Sequence, residues 1–185
     1  MDHAIDQGFA FGHGNGTNHH YGYNIRKIYD AMWLMRDKIA ARGKTDEYVK
    51  VLAYWSGLAE TRKPYVYGRD ELLDSWHTLL IPKIVSALML PDEAEQYRAM
   101  KSLGVWLSGS LGFTPGTIGG IKPDGTTFHH GGFYPAYSTG AFAMIGYFCK
   151  ATRGTDFTLS EQARRNFKLA LMTMASYTDL RDWGL

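Results

Sequence analysis

The chain has 185 residues, 20 Lys+Arg against 18 Asp+Glu, and a formal net charge of +2. So even a balance excludes a protein built mainly to coat DNA or RNA, which needs a concentrated basic footprint. The 45% hydrophobic fraction excludes wholesale disorder, and no apolar run approaches the ~18 residues of a membrane span. One cysteine, Cys149, excludes an internal disulfide framework and a cysteine-based zinc site.

In chain order, residues 1–22 are glycine-rich, polar and aperiodic, and predict a loop. Met1-Asp2-His3-Ala4 lacks the basic and apolar regions of a signal peptide. A chain that starts so abruptly and stops at Trp183-Gly184-Leu185 reads as an excised piece of a longer one. From Asn24 to Arg42, Ile25, Ile28, Tyr29, Met32, Met35 and Ile39 recur at helical spacing, and Gly43 supplies a stop. A second helix is expected from Thr45, as N-cap, to Arg62, burying Tyr48, Val51, Leu52, Trp55, Leu58 and Ala59 and ended by Lys63-Pro64. Residues 70–90 predict helix again, with a kink or two short helices because Pro82 lies inside. Asp92-x-x-Glu95 is a capping box opening a helix to Leu111. Residues 112–133 read as a long loop, and structureless loops of that length are usually functional. A helix is expected from Pro135 to Arg153. Thr158-x-x-Glu161 is expected to cap the last one, which carries Ala163, Phe167, Ala170, Leu171 and Met174. No alternating strand pattern is visible. The prediction is an all-α single domain over residues 1–185, about six helices in successive antiparallel pairs.

Histidines concentrate in two places, Thr17-Asn18-His19-His20-Tyr21-Gly22-Tyr23 and the stretch from Lys122 to Tyr137, which contains His129-His130. Both are read as loops leading into helices, and in stacked helical pairs such loops are expected to meet on one rim. Four histidines could hold zinc or copper. Against a metal, adjacent histidines point apart, and there is neither His-x3-His on a helix nor a zinc-hydrolase glutamate. Taken singly, His19 and His129 read more simply as loop residues bonded to backbone. Cys149, within Ile145-Gly146-Tyr147-Phe148-Cys149, reads as core. No Gly-x-Ser-x-Gly is present, and Gly12-x-Gly14-x-Gly16 follows no strand, so neither a serine-hydrolase elbow nor a dinucleotide fingerprint is formed. What remains is His130 with Tyr137, a pairing suited to abstracting a proton from an acidified carbon. A free phenol, with a pKa of about 10, is a poor base at neutral pH unless cationic groups lie nearby. Among the aromatics, Tyr21 and Tyr23 beside the first histidines are the better cleft-lining candidates. Trp76, Trp106 and Tyr134 are the next, and helical spacing makes core packing the simpler reading for these three.

Asp2-His3, His19-His20-Tyr21-Gly22-Tyr23, Lys122-Pro123-Asp124-Gly125-Thr126 and His130-x6-Tyr137 together resemble the chondroitin sulfate ABC lyases of polysaccharide lyase family 8. The resemblance runs from Asp2 to about Leu185, and its most specific part is the Pro-Asp-Gly-Thr stretch leading to His130 and the Tyr-Pro-x-Tyr ending at Tyr137. It implies an incomplete (α/α) toroid and cleavage of glycosaminoglycans by β-elimination at the uronate C5. It also implies roles: Tyr137 as general acid and as base for glucuronate, His130 as its uronate-binding assistant, and His20, in preference to His19, as the base for the opposite C5 epimer. His19, His129, Tyr21, Tyr23 and Tyr134 are the expected substrate contacts. The family's catalytic arginine and glutamate lie beyond Leu185, and neither Arg153 nor Arg181 matches them, so the isolated chain is expected to be inactive or much impaired. No redox cofactor is implied, and a divalent cation is neither required nor excluded. The expected partner is a glycosaminoglycan, with no nucleic acid and no membrane, in a parent that is periplasmic or secreted. Apolar faces left by missing helices predict self-association. A carbohydrate-binding helical module without chemistry is the alternative, and a metal-dependent helical enzyme a third reading.

Overall fold

The computed structural model describes residues 1–13, 18–68 and 71–179. In chain order its helices are α1 (Asp2–Asp6), α2 (Asn18–Leu34), α3 (Arg36–Ala41), α4 (Thr45–Ser56), a 3-10 turn (Leu58–Arg62), α5 (Leu72–Asp74), a π-helical turn (Ser75–Leu79), α6 (Leu80–Leu88), α7 (Glu93–Ser110), α8 (Pro135–Ala151) and α9 (Glu161–Tyr177). Between α7 and α8 lie β1 (Gly120–Ile121), β2 (Thr127–His129) and β3 (Gly132–Phe133). Contacts divide the chain into two compact parts, Met1–Lys63 with Thr78–Leu103, and Pro64–His77 with Gly104 onward.

The first part is built from α1 to α4 and α6. Its core gathers Ile25 and Tyr29 of α2, Ile39 of α3, Val51, Leu52 and Trp55 of α4, and Val85 of α6. Tyr29 is fully buried and donates its hydroxyl to the Leu52 carbonyl at 2.8 Å; burial pushes its phenol far above the ordinary range. The buried Lys83 of α6 donates Nζ to the carbonyl of Ser56, the last residue of α4, at 2.6 Å. A cation at that helix end satisfies an orphan carbonyl and complements the helix dipole.

Several boundaries differ from the sequence reading. Residues 1–22 are not all loop: α1 occupies Asp2–Asp6, and α2 already begins at Asn18. Gly22 is helical because α2 passes close to Thr78, whose Oγ1 would lie 2.1 Å from a Cβ there. The helix breaks at Met35, which is exposed rather than part of the buried stripe. Gly43 does adopt the left-handed φ expected of a stop, +64°. Thr45 is the first helical residue of α4 and not its cap, and the helix ends at Gly57, whose φ is 66°. The 3-10 turn fills the remaining span, and Ala59 is exposed. Pro82 falls in the first turn of α6. Its ring cannot donate to the Thr78 carbonyl and crowds it, and the wide π turn covers that position.

The second part packs α8 and α9 with the end of α7, α5 and the strands. Gly104 lets α7 approach the Phe157 backbone, whose carbonyl oxygen would be 2.5 Å from a Cβ. Asp92 caps α7 as expected, accepting from the Glu95 N–H at 2.8 Å. The cap of α9 is Ser160, not Thr158: its hydroxyl accepts from the Ala163 N–H at 3.2 Å, while Thr158 lies in the non-helical run before it.

The all-α expectation is corrected in one place. Residues 112–133 are not structureless but fold into an antiparallel sheet of order β1-β2-β3. Its strands are two or three residues long, too short for a period to show in sequence. Turn chemistry holds it instead. Asp124 Oδ1 accepts from the Thr126 N–H at 2.9 Å and its hydroxyl at 2.7 Å, which keeps the Asp124 carboxyl below its usual range. Lys122 N–H closes the turn onto the Thr126 carbonyl at 2.8 Å.

Candidate functional site

The site grows from the β2–β3 hairpin and the first turn of α8. Strand alternation turns Thr127 and His129 inward, and both are buried. The Thr127 hydroxyl meets the Ser138 hydroxyl of α8, which fixes the hairpin against the helix start. β2 and β3 register His129 against Gly132, leaving a two-residue turn of His130 and Gly131. Both have positive φ, 51° and 75°, as a type I′ hairpin turn requires. For a histidine this left-handed backbone costs roughly 1–2 kcal/mol.

That backbone has a geometric result. Neighbouring residues in a strand point to opposite faces, and the sequence reading expected the same of His129 and His130. The turn overrides the alternation: the two imidazole centroids lie 3.9 Å apart. Tyr137, in the first turn of α8, places its ring 4.6 Å from His129 and 6.1 Å from His130. Tyr134, the residue before α8, adds a fourth ring, 4.9 Å from that of Tyr137 and 6.3 Å from that of His130. Pro135 follows at the first helical position, where its missing N–H costs no helix bond. His130 and Tyr134 are exposed and Tyr137 half-buried, so the cluster opens to solvent on one side.

Behind it, the cluster is polar. His129 is fully buried, and its Nε2 lies 3.5 Å from Oδ2 of Asp74, which is buried as well. Asp74 ends α5 immediately before the π turn. Within that turn His77 lies flat against α8 at Gly140, where a Cβ would stand 2.6 Å from the His77 ring. Trp76 anchors the turn by donating Nε1 to the Ser110 hydroxyl at 3.0 Å. Under the β1–β2 turn, buried Lys122 donates Nζ to Thr114 Oγ1 at 2.9 Å and to the Ile118 carbonyl, and sits 4.6 Å from the Phe128 ring centroid.

The structure therefore brings together His129, His130, Tyr134 and Tyr137. His129, expected at the substrate surface, is carried instead beneath it by the inward alternation of β2. His19, His20, Tyr21 and Tyr23 belong to the first part of the chain. His20 is exposed on α2, not on a loop; the backbone of His19 is helical too, and its side chain lies outside the described residues. Tyr21 is half-buried, its ring edge-on to Trp55 at 5.5 Å. Tyr23 is exposed, with the Arg26 guanidinium 6.0 Å from its ring centroid. Trp76 and Trp106 are core residues, as helical spacing suggested. Cys149 is half-buried on α8, and burial raises its thiol. Arg153 is exposed just past α8; Arg181, Gly14 and Gly16 lie outside the described residues. Among the described residues, no group of three or more His, Cys, Asp or Glu is placed to hold a metal ion, and no helix is long and apolar enough to cross a membrane.

Two residues of the site escaped the sequence reading, Asp74 and His77. The available signal was an acid and a histidine inside the otherwise apolar run Leu72-Leu73-Asp74-Ser75-Trp76-His77-Thr78-Leu79-Leu80.

Comparison with known proteins gives a consistent result. The family model described as "Lyase, catalytic" matches residues 1–185. A chondroitin sulfate ABC exolyase of Bacteroides thetaiotaomicron is 36% identical over 188 residues, covering 100% of this chain and 18% of the relative. The chondroitin sulfate ABC exolyase of Proteus vulgaris is 30% identical over 176 residues, 95% of this chain. The chondroitin sulfate ABC endolyase of the same organism is 30% identical over 179 residues, 96% of this chain. The chain spans about 18% of the length of each of these relatives.

Proposed function

Because the chain belongs to the catalytic lyase family, we propose that it contributes part of the active site of a polysaccharide lyase that cleaves chondroitin and dermatan sulfate by β-elimination. The observation that carries the reading is the open ring cluster, with His130 held over His129 on a left-handed turn and Tyr137 beside it at the start of α8. Backbone strain and clustered titratable side chains are enriched at functional sites.

In this reading His130 engages the uronate carboxylate and Tyr137 takes the C5 proton. The electrons of that C–H bond form the C4–C5 double bond, the C4–O4 bond breaks, and the tyrosine proton passes to the departing O4. Atoms and electrons balance without an oxidant or reductant. Tyr134 offers an exposed ring face for a sugar. His20 is assigned by resemblance as the base for the opposite C5 epimer, and Tyr21 and Tyr23 as substrate contacts. The (α/α) toroid is proposed on the same ground, for a structure of the full-length protein to test. Since relatives are several times longer, the isolated 185-residue chain should turn over substrate far more slowly than the full-length protein.

The decisive test is Tyr137→Phe in the full-length protein. We expect kcat on chondroitin sulfate to fall by at least about 100-fold with oligosaccharide binding retained. Unchanged turnover sinks the assignment, and binding without turnover in the unsubstituted protein would favour a binding module. His20→Ala should depress cleavage of iduronate-containing dermatan while sparing chondroitin; equal losses on both would remove His20 from the epimer role.

A further inference from the structure

The least expected feature of the second part is a carboxylate in its interior. Asp74 is buried, as is the histidine whose Nε2 lies 3.5 Å from it. A carboxylate taken out of water needs opposite charge or hydrogen-bond donors close by, and a mismatched neighbour there is costly. His129 also makes three ring contacts, with His130 at 3.9 Å, Tyr137 at 4.6 Å and Tyr134 at 6.1 Å between centroids. The groups facing it are thus Asp74 from α5, His130 from the hairpin turn, and Tyr134 and Tyr137 from the start of α8.

The surroundings hold this arrangement in place. The Thr127–Ser138 contact fixes β2 on α8. His77, three residues after Asp74, lies against Gly140, one helical turn beyond Tyr137. The π turn between them is an irregularity of the kind that recurs at functional sites. A buried apolar ring in place of His129 would fill the same space but would set no nitrogen beside the Asp74 carboxyl.

We propose that Asp74 and His129 form a buried positioning pair: Asp74 fixes the His129 imidazole, and that ring sets the orientation of His130 and Tyr137. The inference rests on the lyase reading above and deepens it. Both members lie beneath the surface, so neither touches substrate, and they act through the two rings that do. Aligned reacting groups matter because misplacement by about 1 Å costs on the order of 100-fold in rate.

The test uses Asp74→Asn, His129→Gln, their combination and Asp74→Glu in the full-length protein, with kcat, KM, the pH profile of kcat and the melting temperature for each. We expect each of the first two to lower kcat by roughly 10- to 100-fold with KM within about twofold, and to displace the pH profile. The double variant should be no worse than the more damaged single one, because both break the same unit. Asp74→Glu should restore part of the rate. A folded Asp74→Asn protein with full kcat overturns the proposal. So do additive losses, or a lowered melting temperature with an unmoved pH profile, since those mark a purely structural contact. If Asp74→Asn does not fold, His129→Gln, which keeps a donor near the carboxylate, carries the same decision. The controls separate the two readings: turnover by Tyr137→Phe removes the lyase assignment, whereas an inactive Tyr137→Phe beside a fully active Asp74→Asn removes only the positioning pair.

Discussion

The two compact parts of the chain present their histidines in opposite ways. His20 stands exposed on the regular helix α2, where the backbone carries no strain. His130 stands on a left-handed turn, pressed against a second histidine that is itself buried beside a carboxylate. A helix displays a side chain at little cost and leaves it rotamer freedom. A strained turn costs free energy and removes that freedom. The second arrangement suits a group that must be aligned before substrate arrives, and the first suits one that adjusts to it.

Three measurements would break or sharpen this contrast. The largest effect is expected in the regular part: Leu52→Ala removes a fully buried side chain between α2, α4 and α6 and should destabilise by about 2–5 kcal/mol in denaturant titration. A loss below about 1 kcal/mol would mean that this core is not tightly packed. Next comes His130→Asn. Asparagine tolerates the left-handed region, so the melting temperature should hold while kcat falls on the order of 100-fold. A drop in melting temperature comparable to that of Leu52→Ala would make His130 structural. The smallest effect concerns the N-terminus. The Asp2 carboxyl is held below its usual range, chiefly by the Tyr48 hydroxyl at 2.6 Å. A depressed folded value means that its contribution is fully present above the unfolded pKa of about 3.9 and is lost as pH falls through the lower folded value. Tyr48→Phe should flatten the dependence of melting temperature on pH in that acid range. An unchanged slope would show that the contact is not maintained in solution.

What could be read from sequence followed regularity. α4, α7, α8 and α9 have apolar periods or caps that announce them, and Asp92 and Gly43 act as their types suggest. Gly22 misled because it is needed for close approach to Thr78, not for a loop. The strands were hidden because pairing and turn bonds, rather than any pattern of burial, hold segments so short. His130 and Tyr137 were legible as a motif, yet the contact of His129 with His130 was not, because it depends on a φ that only an adjacent-glycine turn would hint at. Asp74 was illegible for a similar reason: its neighbours in sequence are apolar, and the side chain it faces lies far along the chain.

Lys83 has a consequence for how the first part opens. Helix ends ordinarily fray first and exchange their amide protons fastest. Here the last carbonyl of α4 is the acceptor for an ammonium buried in the middle of α6. Fraying at Ser56 would break that hydrogen bond inside the core. Amides in the final turn of α4 should therefore exchange together with those of α6, and early exchange there alone would contradict this. A terminus that would elsewhere be the first place to yield is tied to the helix beside it.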